Sequence, residues 1–168
     1  MKKINFNTNW NFTFQNSMDE FNTFGFDKYS DAAGAAARFY DYSNWQTVDL
    51  PHDWAISLQK NCFANYFAGA YPNTSYHRFM EERHSNIETV YNIGWYRKQF
   101  FIDPEWEGKR VFIEFEVIFR DAIVWVNGVY LDRHNSGYTS FAIEITDHLV
   151  FGEDNSIAVR VDSEQPEG

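Results

Sequence analysis

The chain has 168 residues, enough for one compact domain with a real core and too few for a barrel enzyme of roughly 250 residues. Its net charge of -10 repels phosphate backbones, and its 14 basic residues form no run that could track them, so no nucleic-acid partner is expected. Aromatic residues make up 20% of the chain, with 17 Phe, 10 Tyr and 6 Trp, and the remaining apolar positions are largely Val and Ile, a composition that favours strands.

The start, MKKINFNTNW, turns polar after two lysines and lacks the apolar stretch of about 7 to 15 residues that a secretory signal needs. No later segment is long and apolar enough for a membrane helix, so no membrane partner is expected. Cys62 is the only cysteine, which excludes an intrachain disulfide, and a cytoplasmic location is expected. Asn11 and Asn73 stand in N-x-[ST] triplets that carry little weight without evidence of secretion.

Taken in chain order, WNFTF (Trp10 to Phe14) alternates as a strand does. Within Ser17 to Tyr42 the run DAAGAAARF suggests a short helix, weakened at Gly34 by about 1 kcal/mol relative to Ala. WQTVDLPHDW (Trp45 to Trp54) reads as an extended segment running into a proline-directed turn. Ser57 to Asn92 is aromatic-rich and aperiodic, and a connection of that length in a compact domain is usually functional or packed on a partner.

From Trp95 to Asp162 apolar and polar residues alternate almost continuously, with turn residues between the runs. WYRKQFFI is a strand stopped by Asp103-Pro104 and Gly108, because proline cannot donate to a ladder. RVFIEFEVI (Arg110 to Ile118) follows. DAIVWVNGVYLD predicts a hairpin whose Asn127-Gly128 turn tolerates positive φ. SFAIEIT is another strand, TDHLVFGEDN a single helical turn and loop, and SIAVRVD the last strand. The predicted class is all-β, an antiparallel sandwich or jelly roll.

Candidate chemistry is sparse. Glu114 and Glu116 sit two apart on one strand and share a face, whereas a glycosidase needs carboxylates on opposite sides of a bond, so both read as the solvated side of an amphipathic strand. His52 and Asp53 suggest an acid-base pair, but neighbours on an extended chain point apart; a turn role for Asp53 and a packing role for His52 are expected. The five histidines (His52, His77, His84, His134 and His148) show no zinc spacing, and neither a metal nor a cofactor is expected in this chain. Most of Trp10, Trp45, Trp54, Trp95 and Trp125, which occupy strand positions, are expected in the core, with Trp106 in the DPEWEG turn at the surface.

Six blocks in order, WNFTF, VDLPHDW, YNIGWYRKQF, RVFIEFEVIFRDAIVWVNG, SGYTSFAIEIT and GEDNSIAVRVD, resemble the sugar-binding domain of family 2 glycoside hydrolases, β-galactosidases in particular. They cover nearly the whole chain, and LPHDW and GWYRK stand close to the family form. Val117-Ile118 and Asp132 depart from it, standing where glycine is frequent.

The resemblance implies a galactose-binding-like jelly roll over residues 1–168, one domain and a fragment of a larger glycosidase. An immunoglobulin-like domain and a catalytic barrel with two glutamates would follow in the same chain. It implies that the fragment itself is inactive, with no catalytic residue. Its partners would be a β-galactoside or related carbohydrate, the remaining domains and a second copy in a homo-oligomer, the last through a strand edge left exposed near Gly168. By the same resemblance the substrate-binding residue is Asn92, two residues before Gly94, or Tyr91 beside it, and Arg97, Arg120 and Asp121 serve a buried ion pair or a domain contact. An independent carbohydrate-binding module and a purely structural or oligomer-interface domain are the alternative readings.

Overall fold

The structure is a computed structural model, and it describes residues 2–15, 34–54 and 93–163. Eight strands form in chain order: β1 (Trp10–Phe14), β2 (Gln46–Val48), β3 (Ile93–Phe101), β4 (Phe112–Phe115), β5 (Ala122–Val126), β6 (Val129–His134), β7 (Phe141–Glu144) and β8 (Asp154–Asp162). A six-stranded sheet in the order β2-β1-β3-β8-β5-β6 faces a two-stranded sheet of β4 and β7, and every pairing is antiparallel. The all-β sandwich expected from alternation is the fold observed.

Alternation decides which side chain goes where, because successive residues of a strand point to opposite faces. The inner face of the large sheet carries Trp10 and Phe12, Tyr96, Ala122, Val124 and Val126, and Ile157, Val159 and Val161; all pack with Val111, Ile143 and Ile145 from the neighbourhood of the small sheet. The outer face is not bare. Trp95, Ile123, Trp125 and Ala158 project outward and are covered by Ala35, Ala36, Tyr40 and Trp45. β3, β5 and β8 are therefore buried on both faces, which is why their sequences are more continuously apolar than a half-exposed strand requires.

The turns follow local chemistry. Asn127 and Gly128 both adopt positive φ, 51° and 82°, as a two-residue type I′ hairpin demands. Asp103 caps a 3-10 turn at Pro104–Trp106, its carboxylate accepting from the Glu105 N–H at 2.8 Å. The turn expected in TDHLVFGEDN is a 3-10 turn at Thr146–His148.

Several expectations are adjusted. The run DAAGAAARF supplies a 3-10 turn at Gly34–Ala36; its first residues and most of Ser17 to Tyr42 lie outside the described set. Gly34 takes φ 60°, a value that cannot continue a right-handed helix. β4 is shorter than Arg110 to Ile118, ending at Phe115 where pairing with β7 runs out. Trp106 is half-buried against the inner core rather than a free surface residue. Among the described residues no helix is long and apolar enough to cross a membrane.

Candidate functional site

The two blocks closest to the family form, LPHDW and GWYRK, pack directly on each other. Trp54 lies over the backbone of Gly94, so near that a Cβ there would meet the indole at 2.6 Å and Phe12 at 2.8 Å. Glycine is required by this close approach. The Trp54 and Phe12 rings stack with centroids 5.6 Å apart, and the His52 imidazole sits edge-on to Phe12 with its Nδ1 2.9 Å from the Tyr96 hydroxyl. Burial holds the His52 pKa below its usual value, with the Asp53 charge opposing, and burial likewise raises that of the Tyr96 phenol. His52 is thus a packed core-edge histidine engaged with a phenol, and its arrangement is that of a structural contact.

Beyond Gly94, β3 begins at Ile93, and the register places a row of residues across this end of the large sheet. Ile93 pairs with Asp162 of β8, and its carbonyl accepts from the Gln15 N–H at 3.0 Å. The Asp162 N–H in turn reaches the carbonyl of Asp121 at 3.2 Å. Gln15 turns its side-chain oxygen to the Trp95 indole N–H at 3.2 Å.

At this end the outer face carries Asp162 and Asp121 and, two register steps further in, Arg160 and Arg133. Arg133 donates to both Asp121 oxygens at 2.6 and 2.5 Å, a bidentate pair that holds the Asp121 carboxyl below its usual range. Arg160, buried on the outer face, donates to Asp162 at 3.2 Å, and its charge also favours the ionised Asp121. The loops 116–121 and 135–140 reach the same end. There the Phe119 and Tyr138 rings meet edge to face at 5.8 Å, and Tyr138 is 84% exposed.

Arg97 behaves differently from expectation. It is 1% exposed on the outer face and makes no ion pair among those observed; it donates to the carbonyls of Ala35 and of Arg38, the latter at 3.3 Å, and lies against the Tyr40 and Tyr42 rings. Burial pulls its pKa below the ordinary guanidinium value. Asp121 pairs with Arg133, a residue that sequence reasoning passed over, and Arg120 is half-exposed beside it. The signal that could have found this network is the period-two spacing of Arg160 and Asp162, which puts both on one face of a strand.

The other sequence candidates separate. Glu114 and Glu116 are exposed, with Glu114 accepting from the Lys3 ammonium at 2.8 Å. Tyr91, Asn92, His77 and His84 lie outside the described residues. Among the described residues no three His, Cys, Asp or Glu side chains gather as a metal site would require.

Comparison with known proteins adds the family. Residues 4–167 match the profile of the glycosyl hydrolases family 2, sugar binding domain. The chain belongs to that family. A β-galactosidase of Thermoanaerobacter pseudethanolicus is 35% identical over 135 residues, covering 77% of this chain and 15% of its own length. The β-galactosidase BoGH2A of Bacteroides ovatus is 36% identical over 140 residues, covering 81% and 14%. The crystal structure of a family 2 glycosyl hydrolase from Bacteroides cellulosilyticus superimposes with a TM-score of 0.64 at 30% identity, covering 96% of this chain and 18% of that one. The family 2 sugar-binding domain thus spans a small fraction of the curated relatives it matches, and the six sequence blocks that resemble the family are the ones that build its sandwich.

Proposed function

We propose that the complete protein is a glycoside hydrolase acting on a β-galactoside, and that this domain breaks no bond itself. It buttresses the catalytic part of the same chain and lends the segment ending at Asn92 to the substrate pocket. The observation that carries the reading is the register of β3 against β8: Ile93 pairs with Asp162, so the start of β3 and the end of β8 stand side by side at one end of the sheet. Loop-borne polar residues held by a rigid scaffold are the usual source of binding contacts. The Gln15, Asp162 and Asp121 backbone contacts and the two arginine–aspartate pairs make that end a rigid support.

The β-galactoside preference rests on the two β-galactosidases above, while a β-glucuronidase of Bacteroides fragilis, 29% identical over 94% of this chain, is the competing assignment. The lone Cys62 suits a reducing compartment, and a cytoplasmic site of action belongs to the same reading. Hydrolysis through two carboxylates asks no cofactor of this domain.

The test is Asn92→Ala in the complete enzyme. Loss of a buried polar contact with the sugar lowers kcat/KM on an aryl β-galactoside by an amount corresponding to about 1 to 3 kcal/mol. An unchanged kcat/KM would falsify the pocket role.

A further inference from the structure

The end of the large sheet remote from Ile93 carries an open recess. Phe101 lies eight residues along β3 from Ile93, about 26 Å away at the usual rise per residue. The segment that covers Trp95 and Trp125 stops short of this end, so the outer face opens there into a groove of about 430 Å³. Its floor is flat sheet, where Gln99 pairs with Ser156 and Phe101 with Asp154. Its lining is completed by the Arg38–Phe39 step and by Gly152–Glu153, which meet where Arg38 approaches Glu153.

Two phenyl rings flank this floor with their surfaces in solvent: Phe39 is 90% exposed and Phe101 60%. Phe39 stands highest, with the Arg38 guanidinium carbon 5.3 Å from its ring centroid. By contrast none of the six tryptophans, all of them described, is exposed. Among the described residues the exposed ring surface therefore belongs to Phe and Tyr.

The chemistry of the groove selects its occupant. The volume falls in the range of small-ligand clefts, roughly 300 to 1,000 Å³. Arg38 stands 3.8 Å from Glu153, so the cation is already balanced, and Asp154 leaves no surplus positive charge for an anionic ligand. What remains is apolar ring surface beside an amide, a hydroxyl and carboxylates, which matches the C–H faces and hydroxyl edges of a pyranose.

We propose that the groove between Phe39 and Phe101 is a second carbohydrate-binding site that takes a neutral, hydroxyl-rich stretch of polysaccharide away from the bond to be cleaved. Its class of ligand rests on the carbohydrate reading above; its location and function are independent of Asn92. The site holds the enzyme on polymeric substrate and contributes nothing to turnover of a small glycoside.

The experiment is native electrophoresis of the complete enzyme through gels containing soluble β-1,4-galactan, galactomannan or xyloglucan, beside kinetics on an aryl β-galactoside. The expected result is retardation in at least one polysaccharide, reduced at least threefold by Phe39→Ala and by Phe101→Ala and retained by Phe39→Trp, with aryl galactoside kinetics unchanged in all three variants. Asn92→Ala is expected to do the reverse, lowering turnover and leaving retardation intact. If Asn92→Ala changes nothing while Phe39→Ala abolishes retardation, the pocket reading fails and the groove stands. No retardation of the unsubstituted enzyme in any of the three gels, or equal retardation of Phe39→Ala, overturns the proposal. So does a Phe39→Ala variant that alters only the sedimentation coefficient, since the groove is then a protein interface.

Discussion

The two faces of the six-stranded sheet use the same strands and are buried by different means. The inner face is closed by aliphatic and aromatic side chains against the small sheet, and the deeply buried Asn155 spends its side chain on nearby turns: it accepts from the Val150 N–H at 2.8 Å and from the Asn127 side-chain amide at 2.7 Å, and donates to the Val150 and Glu153 carbonyls. The outer face buries two arginines beside two stacked tryptophans, under a covering segment that holds Arg97 by carbonyl oxygens. Apolar contacts tolerate small shifts, whereas a buried guanidinium is tied to the few oxygens that reach it. The inner face supplies stability, and the outer face fixes where the covering segment and the sheet ends sit.

This contrast can be broken by substitution. Trp95→Ala removes the largest side chain fully buried on the outer face and is expected to cost about 3 to 5 kcal/mol in urea unfolding. A loss near 1 kcal/mol would mean that the covering segment is not seated on Trp95. Asn155→Leu leaves the amide of Val150, two carbonyls and the Asn127 side-chain amide without this partner, and a loss of about 2 to 4 kcal/mol is expected despite the added apolar volume. Gly94→Ala forces Trp54 or Phe12 aside and is expected to cost about 1 to 3 kcal/mol, with a changed near-ultraviolet tryptophan signal as its mark. Arg97→Met strips the Ala35 and Arg38 carbonyls of their donor, with an expected loss of about 1 to 3 kcal/mol and faster proteolysis within 34–45.

The smallest effect is the pH dependence. The folded state holds His52 below its ordinary pKa of 6.5, so the unfolded chain binds the proton more readily. The His52 contribution is complete above pH 6.5 and lost as the pH falls through the lower folded value. Asp121, depressed chiefly by its hydrogen bonds from Arg133, adds a second loss that begins below its usual value of 3.8. His52→Gln is expected to remove the first slope from a plot of unfolding free energy against pH and to leave the second; persistence of the first slope would assign it to another group.

Much of the sandwich was legible because alternation is a local property. WNFTF, AIVWV and the Asn127-Gly128 turn each specify strand or hairpin from neighbours in sequence. The helix suggested by DAAGAAARF shows the limit, since Gly34 takes a positive φ and the two alanines after it are drawn onto the outer face of the sheet. Trp106 was misplaced for a related reason: a turn residue is exposed only if nothing folds back over it, and here the inner core does.

For the site, the family resemblance pointed to Asn92 and Tyr91 through the YNIGWY block, while the spacing of Glu114 and Glu116 and the adjacency of His52 and Asp53 argued against catalysis within this chain. By itself the sequence determined the strands, the hairpin turn, the acidic balance and, through six ordered blocks, the family, because each is written in residues close along the chain. Only the tertiary structure decided that Asp162 stands beside Ile93, that Arg133 holds Asp121, that Trp54 rests on Gly94 and that Phe39 flanks an open groove with Phe101. Those contacts join residues from about a dozen to more than sixty positions apart, and no local pattern encodes which partners a sheet register and a covering segment will bring together.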